Sequence, residues 1–191
     1  MALILFIIAS LVGAMLSVVH HFTAPLVAQS AEERLNQSLV DLMGESAQFE
    51  KVDAYSKEIT LGNVNVPING VYQVKDQADQ PLGYCVNVSP MGYVDTINMM
   101  VALDTEGIVK DVELLSFSET PGIGSKVKNN KTFRTSVNGL LDSAKIVKDT
   151  PKTKDEVQVI AGATVSSTAY INGVNAAIEA VQIIRAEEVE E

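Results

Sequence analysis

Residues 2–19 form an unbroken run of weakly polar to apolar side chains, relieved only by Ser10, Gly13 and Ser17, and Phe22 extends it. At a rise of 1.5 Å per residue, about 20 such residues cross a hydrocarbon core of about 30 Å. The run therefore reads as a transmembrane helix. A cleaved secretory signal is the rival reading, but no basic segment precedes the run, no Ala-x-Ala site follows it and no lipid-attachment cysteine stands there, so the anchor is expected to stay on the chain. Charge says little about orientation: no Lys or Arg comes before the run, and the first one after it, Arg34, has Glu32 and Glu33 beside it. Gly13, Ala14 and Ser17 offer a small-residue face to a neighbouring membrane helix.

A chain of 191 residues then has room for one ordinary domain besides its anchor. Its 24 acidic against 14 basic side chains give a formal net charge of -10. That excess argues against nucleic acid, whose phosphates are held by clustered Lys and Arg. Cys85 is the single cysteine, so the chain alone forms no internal disulfide and no cysteine-ligated metal site; its alternating apolar surroundings suggest a buried structural thiol. His20 and His21, at the end of the apolar run, read as interfacial residues, and no metal site is expected.

After Pro25, which suits the start of a new helix, Leu35, Leu39, Leu42 and Met43 recur at helical spacing in a region rich in Glu and Gln that ends near Gly44. A stalk helix is expected there. From Val71 the period becomes two. Residues 71–75 and 83–88 read as a hairpin, and 98–103 and 108–115 flank a turn at Asp104, Thr105, Glu106 and Gly107. Together they predict an antiparallel meander. A loop over 118–126, a helix over about 131–141, extended runs at 144–147 and 157–160, and a long last helix complete the chain, with residues 187–191 as a frayed acidic tail. The expected class is α+β, with an antiparallel sheet packed by helices. The expected divisions are an anchor at 1–25, a stalk and connection at 26–60 and a domain at 61–191.

The last helix has a marked beginning. Val174, Ala177, Ile178, Val181 and Ile184 give it one apolar face, and Ala161, Gly162, Ala163, Thr164, Val165, Ser166 and Ser167 lead into it from an extended run. A helix N-terminus presents unpaired N–H groups and partial positive charge, which suits a phosphate. Gly162 admits close backbone approach, Ala163 adds no bulk, and the hydroxyls of Thr164, Ser166 and Ser167 can cap the helix or meet a phosphate. The same residues also make an ordinary capped strand-to-helix turn.

Three stretches taken together carry a resemblance: this turn, the loop Ser118, Glu119, Thr120, Pro121, Gly122, Ile123, Gly124, Ser125, Lys126, and the close of the apolar segment at Thr23, Ala24 and Pro25. The chain resembles the FMN-binding G subunit of Rnf complexes, which are ion-translocating ferredoxin:NAD oxidoreductases, and its relative, the C subunit of sodium-pumping NADH:quinone reductase. In that family the threonine of a Ser-Gly-Ala-Thr type motif bears FMN esterified through its phosphate. Family members carry Asp and Ser or Thr where this chain has Gln158 and Ala161, and two glycines after Gly-Tyr where this chain follows Gly92 and Tyr93 with Val94 and Asp95.

The resemblance implies FMN bound covalently to Thr164 by a separate flavin transferase, with Gly162, Ala163, Val165 and Ser166 near the phosphate. It places Glu119 and Thr120 to hydrogen-bond the ring or ribityl chain, Ile123 to pack on the ring and Lys126 to face the phosphate. Tyr93 and Met99 are further candidates for contact with the flavin, with packing in the sheet the expected role of both. The implied function is that of a non-autonomous flavoprotein subunit relaying electrons beside other membrane and redox subunits, with its flavin domain on the extracytoplasmic side. A membrane-anchored sensory or assembly module of the same fold, without flavin, is the alternative from another class.

Overall fold

The computed structural model describes residues 2–44, 46–52 and 58–190. The chain divides into two units, Met1–Gln37 and Ser38–Glu191. The first unit holds most of helix α1 (Ala2–Met43), whose Leu3, Phe6, Leu16 and Phe22 are 65–72% exposed. No residue of its most apolar 18-residue window is buried within the chain. Apolar on all sides over residues 2–19 and covered there by nothing of its own, this part of the helix is built for an apolar surrounding. It is the one helix among the described residues long and apolar enough to cross a membrane. At Pro25, where a second helix is expected to begin, α1 continues, so anchor and stalk are one element. Proline removes one donor from the helical ladder, and a helix of 42 residues absorbs that loss.

In the second unit Ser38 and Leu39, near the end of α1, are buried. Six strands, β1 (Gln48–Lys51), β2 (Glu58–Leu61), β3 (Val64–Lys75), β4 (Pro81–Val88), β5 (Asn98–Asp104) and β6 (Val109–Ser116), form an antiparallel sheet in the order β1-β3-β4-β5-β6, with β2 also on β3. The meander β3 to β6 is the one expected from the period of two, and Gly107 in its last turn has φ +86°. The sheet reaches further back than residue 71. β1 and β2 pair with opposite ends of β3, at Gln48 with Lys75 and at Glu58 with Pro67. Pro67 and Gly70 read as strand breakers, but Pro67, which has no N–H to donate, still pairs through its carbonyl, which accepts from Ser89 N–H at 3.0 Å, and Gly70 lies at a register shift between β3 and β4.

β4 and β5 are buried on both faces, which explains the continuous apolar run from Met99 to Leu103. On one face Val86, Val88, Met99, Val101 and Leu103 share a core with Tyr170, Ile171, Val174, Ile178 and Val181 of α4 (Thr164–Glu190). Each such buried side chain contributes roughly 1.5–3 kcal/mol. Cys85, Met100 and Ala102 are buried on the opposite face. Cys85 is therefore the buried thiol expected, and desolvation pushes its pKa up to about 12.

The helix expected over 131–141 is shorter and has a forerunner: α2 spans Ser125–Asn129 and α3 only Lys131–Thr135. Asn130 separates them, its side chain accepting from Phe133 N–H at 3.0 Å as the cap of α3. Beyond α3 the chain bonds to β6 instead of continuing the helix, with Gly139 N–H donating to Val109 O and Val109 N–H to Leu140 O. β7 (Lys145–Val147) and β8 (Glu156–Gln158) form a separate parallel pair that leads into α4. The backbone of α4 stays helical to Glu190, where fraying from 187 is expected; glutamate is a good helix former.

Candidate functional site

Between β8 and α4 the chain makes one tight turn. Ala163 N–H donates to Ile160 O at 2.9 Å, and Gly162 between them has φ +78°, the left-handed value a type II turn needs at its third residue. Ala163 O then accepts the first helical bond, from Ser167 N–H at 2.9 Å, which makes Ala163 the cap residue. Its methyl group accepts nothing. Among the described residues no acceptor meets the N–H groups of Thr164, Val165 and Ser166, so three donors are left at the positive end of a 27-residue helix.

The three hydroxyls of this turn have different fates. Ser167 is fully buried, its Oγ accepting from Ile160 N–H at 3.1 Å. Ser166 is buried and donates to Glu119 Oε2 at 2.5 Å. Thr164 is exposed, and its hydroxyl has no hydrogen bond among the described residues. Neither serine caps the helix, contrary to the ordinary-turn reading.

Glu119 turns inward. It is 7% exposed, and its Oε1 accepts from Tyr93 N–H at 2.9 Å and Val94 N–H at 3.1 Å. Both of its oxygens thus accept from protein donors. A cleft of about 360 Å³ opens beside it, where Glu119, Ile123, Gly162, Ala163, Thr164, Val165 and Ser166 meet Tyr93 and Gly124. Thr120 and Lys126 stay outside that lining. Thr120 contributes its carbonyl, which accepts from Ile123 and Ser125 N–H. Lys126 reaches the turn from another side, its Nζ 3.4 Å from Ala161 O, and so places a positive charge beside the helix start.

Tyr93 does not pack in the sheet. It stands in the loop between β4 and β5 with 68% of its surface exposed, whereas Met99 is fully buried as expected. The signal for Tyr93 was in the sequence, since Pro90, Gly92 and Asp95 are turn residues. Ile123 and Val165 are also half-exposed, at 52% and 50%, and complete an apolar wall. A second cleft of about 610 Å³, lined by Phe133, Lys148, Gln158 and Ala161 among others, shares Thr164 with the first. Gln158 is tied down there, its Nε2 donating to Lys148 O at 2.9 Å. No group of three or more His, Cys, Asp or Glu arranged for a metal occurs among the described residues.

The model of the FMN-binding domain family matches residues 92–179, which contain the whole of this cleft. The G subunit of a proton-translocating ferredoxin:NAD(+) oxidoreductase complex from Clostridium ljungdahlii is 26% identical over 169 residues, covering 88% of this chain and 83% of that protein. The G subunit of the Na(+)-translocating complex from Acetobacterium woodii is 24% identical, covering 95% and 90%. The chain is a relative of these G subunits. Its fold is shared with the C subunit of a Na(+)-translocating NADH-quinone reductase from Parabacteroides distasonis, at a TM-score of 0.50 and 16% identity, over 80% of this chain and 92% of that one. Unpaired helix donors, a nearby lysine and an apolar wall are features that suit a phosphate group and a flat ring.

Proposed function

We propose that this chain is the membrane-anchored electron-transfer subunit of an Rnf-type complex and holds FMN through a phosphoester to Thr164. The observation that carries the reading is the fate of the three hydroxyls: Thr164 alone is exposed and unbonded, beside three N–H groups with no acceptor among the described residues. The N–H groups of Thr164, Val165 and Ser166 and the ammonium of Lys126 would receive the phosphate, and Tyr93, Ile123 and Val165 would flank the ring. FMN supplies transfer of one or two electrons. The chain's own part is to hold it, to keep one face against apolar side chains and to leave the cleft open to neighbouring carriers.

Attachment needs help from outside. A threonine hydroxyl is a poor nucleophile without a base, Cys85 is buried in the sheet, and both histidines lie in α1. A flavin transferase would supply the base. Thr164 Oγ then bonds to the phosphorus of an activated flavin nucleotide, its proton passes to that base, and the rest of the nucleotide leaves. A tether of this kind suits a domain on the extracytoplasmic side, where a lost cofactor is not replaced, because it keeps the local concentration high. Similarity along 83–90% of two G subunits favours this assignment over the C subunit of a quinone reductase, for which likeness rests on fold.

The test is flavin fluorescence in a denaturing gel, on the full chain co-expressed with a flavin transferase, beside Thr164→Ala. A bright wild-type band and a dark variant are expected. A dark wild type, or a bright Thr164→Ala, would overturn the reading.

A further inference from the structure

Glu119 occupies a prepared space. A Cβ at Gly92 would stand 2.7 Å from Asp95 O and closer still to Glu119 Oε1, and one at Gly124 would stand 2.7 Å from Oε2 and 2.8 Å from Ser166 Oγ. Two glycines, one on either side, thus leave the volume that the buried carboxylate fills. Through its three bonds the carboxylate joins segments far apart in sequence: the loop after β4, its own loop before α2, and the first turn of α4.

The loop after β4 depends on this junction. Gly92 N–H donates to Asp95 O and Thr96 N–H to Asp95 Oδ1, both within the loop. Among the described residues, the bonds from Tyr93 and Val94 N–H to Glu119 are the ones that tie residues 92–95 to another element. Tyr93 and Val94 themselves are 68% and 53% exposed, so little packing holds them in place.

We propose that Glu119 is a positioning residue, a carboxylate latch that holds the Tyr93 loop against the start of α4 and so fixes the wall on which the cofactor's ring is ordered. What the wall orders rests on the flavin reading; the latch does not depend on it. Glutamine has the right shape to replace the acid, since its carbonyl oxygen can accept from both N–H groups and its amide can donate to Ser166 Oγ. Alanine has no such atoms.

Amide hydrogen exchange on the full chain in detergent, without flavin, reads the latch directly. In Glu119→Ala the amides of Tyr93 and Val94 are expected to exchange about tenfold faster or more, while the β4 and β5 amides keep their rates. Glu119→Gln should restore protection at both. Should Glu119→Ala fail to fold, Ser166→Ala, which strips one arm from the carboxylate, is expected to speed the same two amides to a smaller extent. Unchanged exchange at Tyr93 and Val94 in the folded variant overturns the latch. The flavin-loaded chain then reads its consequence: visible-band circular dichroism of the flavin, present in wild type and Glu119→Gln, is expected to vanish in Glu119→Ala while the denaturing gel still shows a bright band. Dichroism that persists after the amides are freed overturns the positioning role. A wild type without flavin would count against the Thr164 reading alone, since the exchange measurement stands without it.

Discussion

Cys85 shows how one residue reports on the sheet around it. The thiol is fully buried, and desolvation raises its pKa from 9.0 to about 12. In the unfolded chain it ionises near pH 9, in the folded chain near pH 12, so between those values the unfolded state has bound fewer protons and stability falls as pH rises. The stabilisation is complete below about pH 9 and is lost through pH 12, with a slope of up to about 1.4 kcal/mol per pH unit from this group. Urea titrations at about pH 8, 9.5 and 10.5 should therefore show a steeper loss in wild type than in Cys85→Ala, whose lower starting stability reflects the lost packing. Equal slopes would mean that the thiol is reached by water. Glu119 makes a different point: it could be picked out from the sequence as a site residue, yet which way its carboxylate faced could not. Its partners, Tyr93 and Ser166, are 26 and 47 residues away, and only the fold brings them to it.

The start of α4 shows what was legible at the scale of an element and what was not. Apolar spacing from Val174 to Ile184 marks the helix, and Gly162 before Thr164 marks the turn, because local periodicity and φ preference are properties of the chain itself. β1 and β2 gave no such signal. Four residues each, they are strands because β3 is there to pair with them, a contact that local sequence does not record. Gly139 likewise helps cut short the stretch 131–141 that reads as one helix, through its bond to Val109, while Asn130 caps the start of that stretch. The turn itself can be tested. A Cβ at Gly162 would meet only Lys126 Nζ, at the ordinary contact distance of 3.5 Å, so Gly162→Ala is strained by its φ of +78° and not by crowding. A loss of about 1–2 kcal/mol in chemical denaturation is expected. A loss under about 0.3 kcal/mol would mean that the turn relaxes to another conformation and that the helix start is less fixed than its hydrogen bonds indicate.

At the scale of the whole molecule, the two units make opposite demands on solvent. In the first, Leu3, Phe6 and Phe22 are exposed on a helix whose beginning is apolar all round, and in the second Leu39 is 3% exposed. α1 belongs to both, so where it is cut decides what survives. A fragment starting at residue 38 keeps Ser38 and Leu39, the β-sheet and α4, and is expected to be soluble without detergent and to melt cooperatively. A fragment starting at residue 46 loses Leu39 with the last turns of α1. Removing a buried leucine side chain costs about 2–5 kcal/mol, a large share of the roughly 5–15 kcal/mol that holds a domain of ordinary size together. Its melting midpoint should fall by about 5 °C or more relative to the longer fragment. The full chain, by contrast, should sediment with membranes and resist extraction by carbonate or high salt, as a spanning helix does and a charge-bound surface protein does not. Equal melting of the two fragments would place the domain's edge after Gly44 and leave α1 purely an anchor; a lower midpoint for the shorter one makes the end of α1 a structural part of the flavin domain.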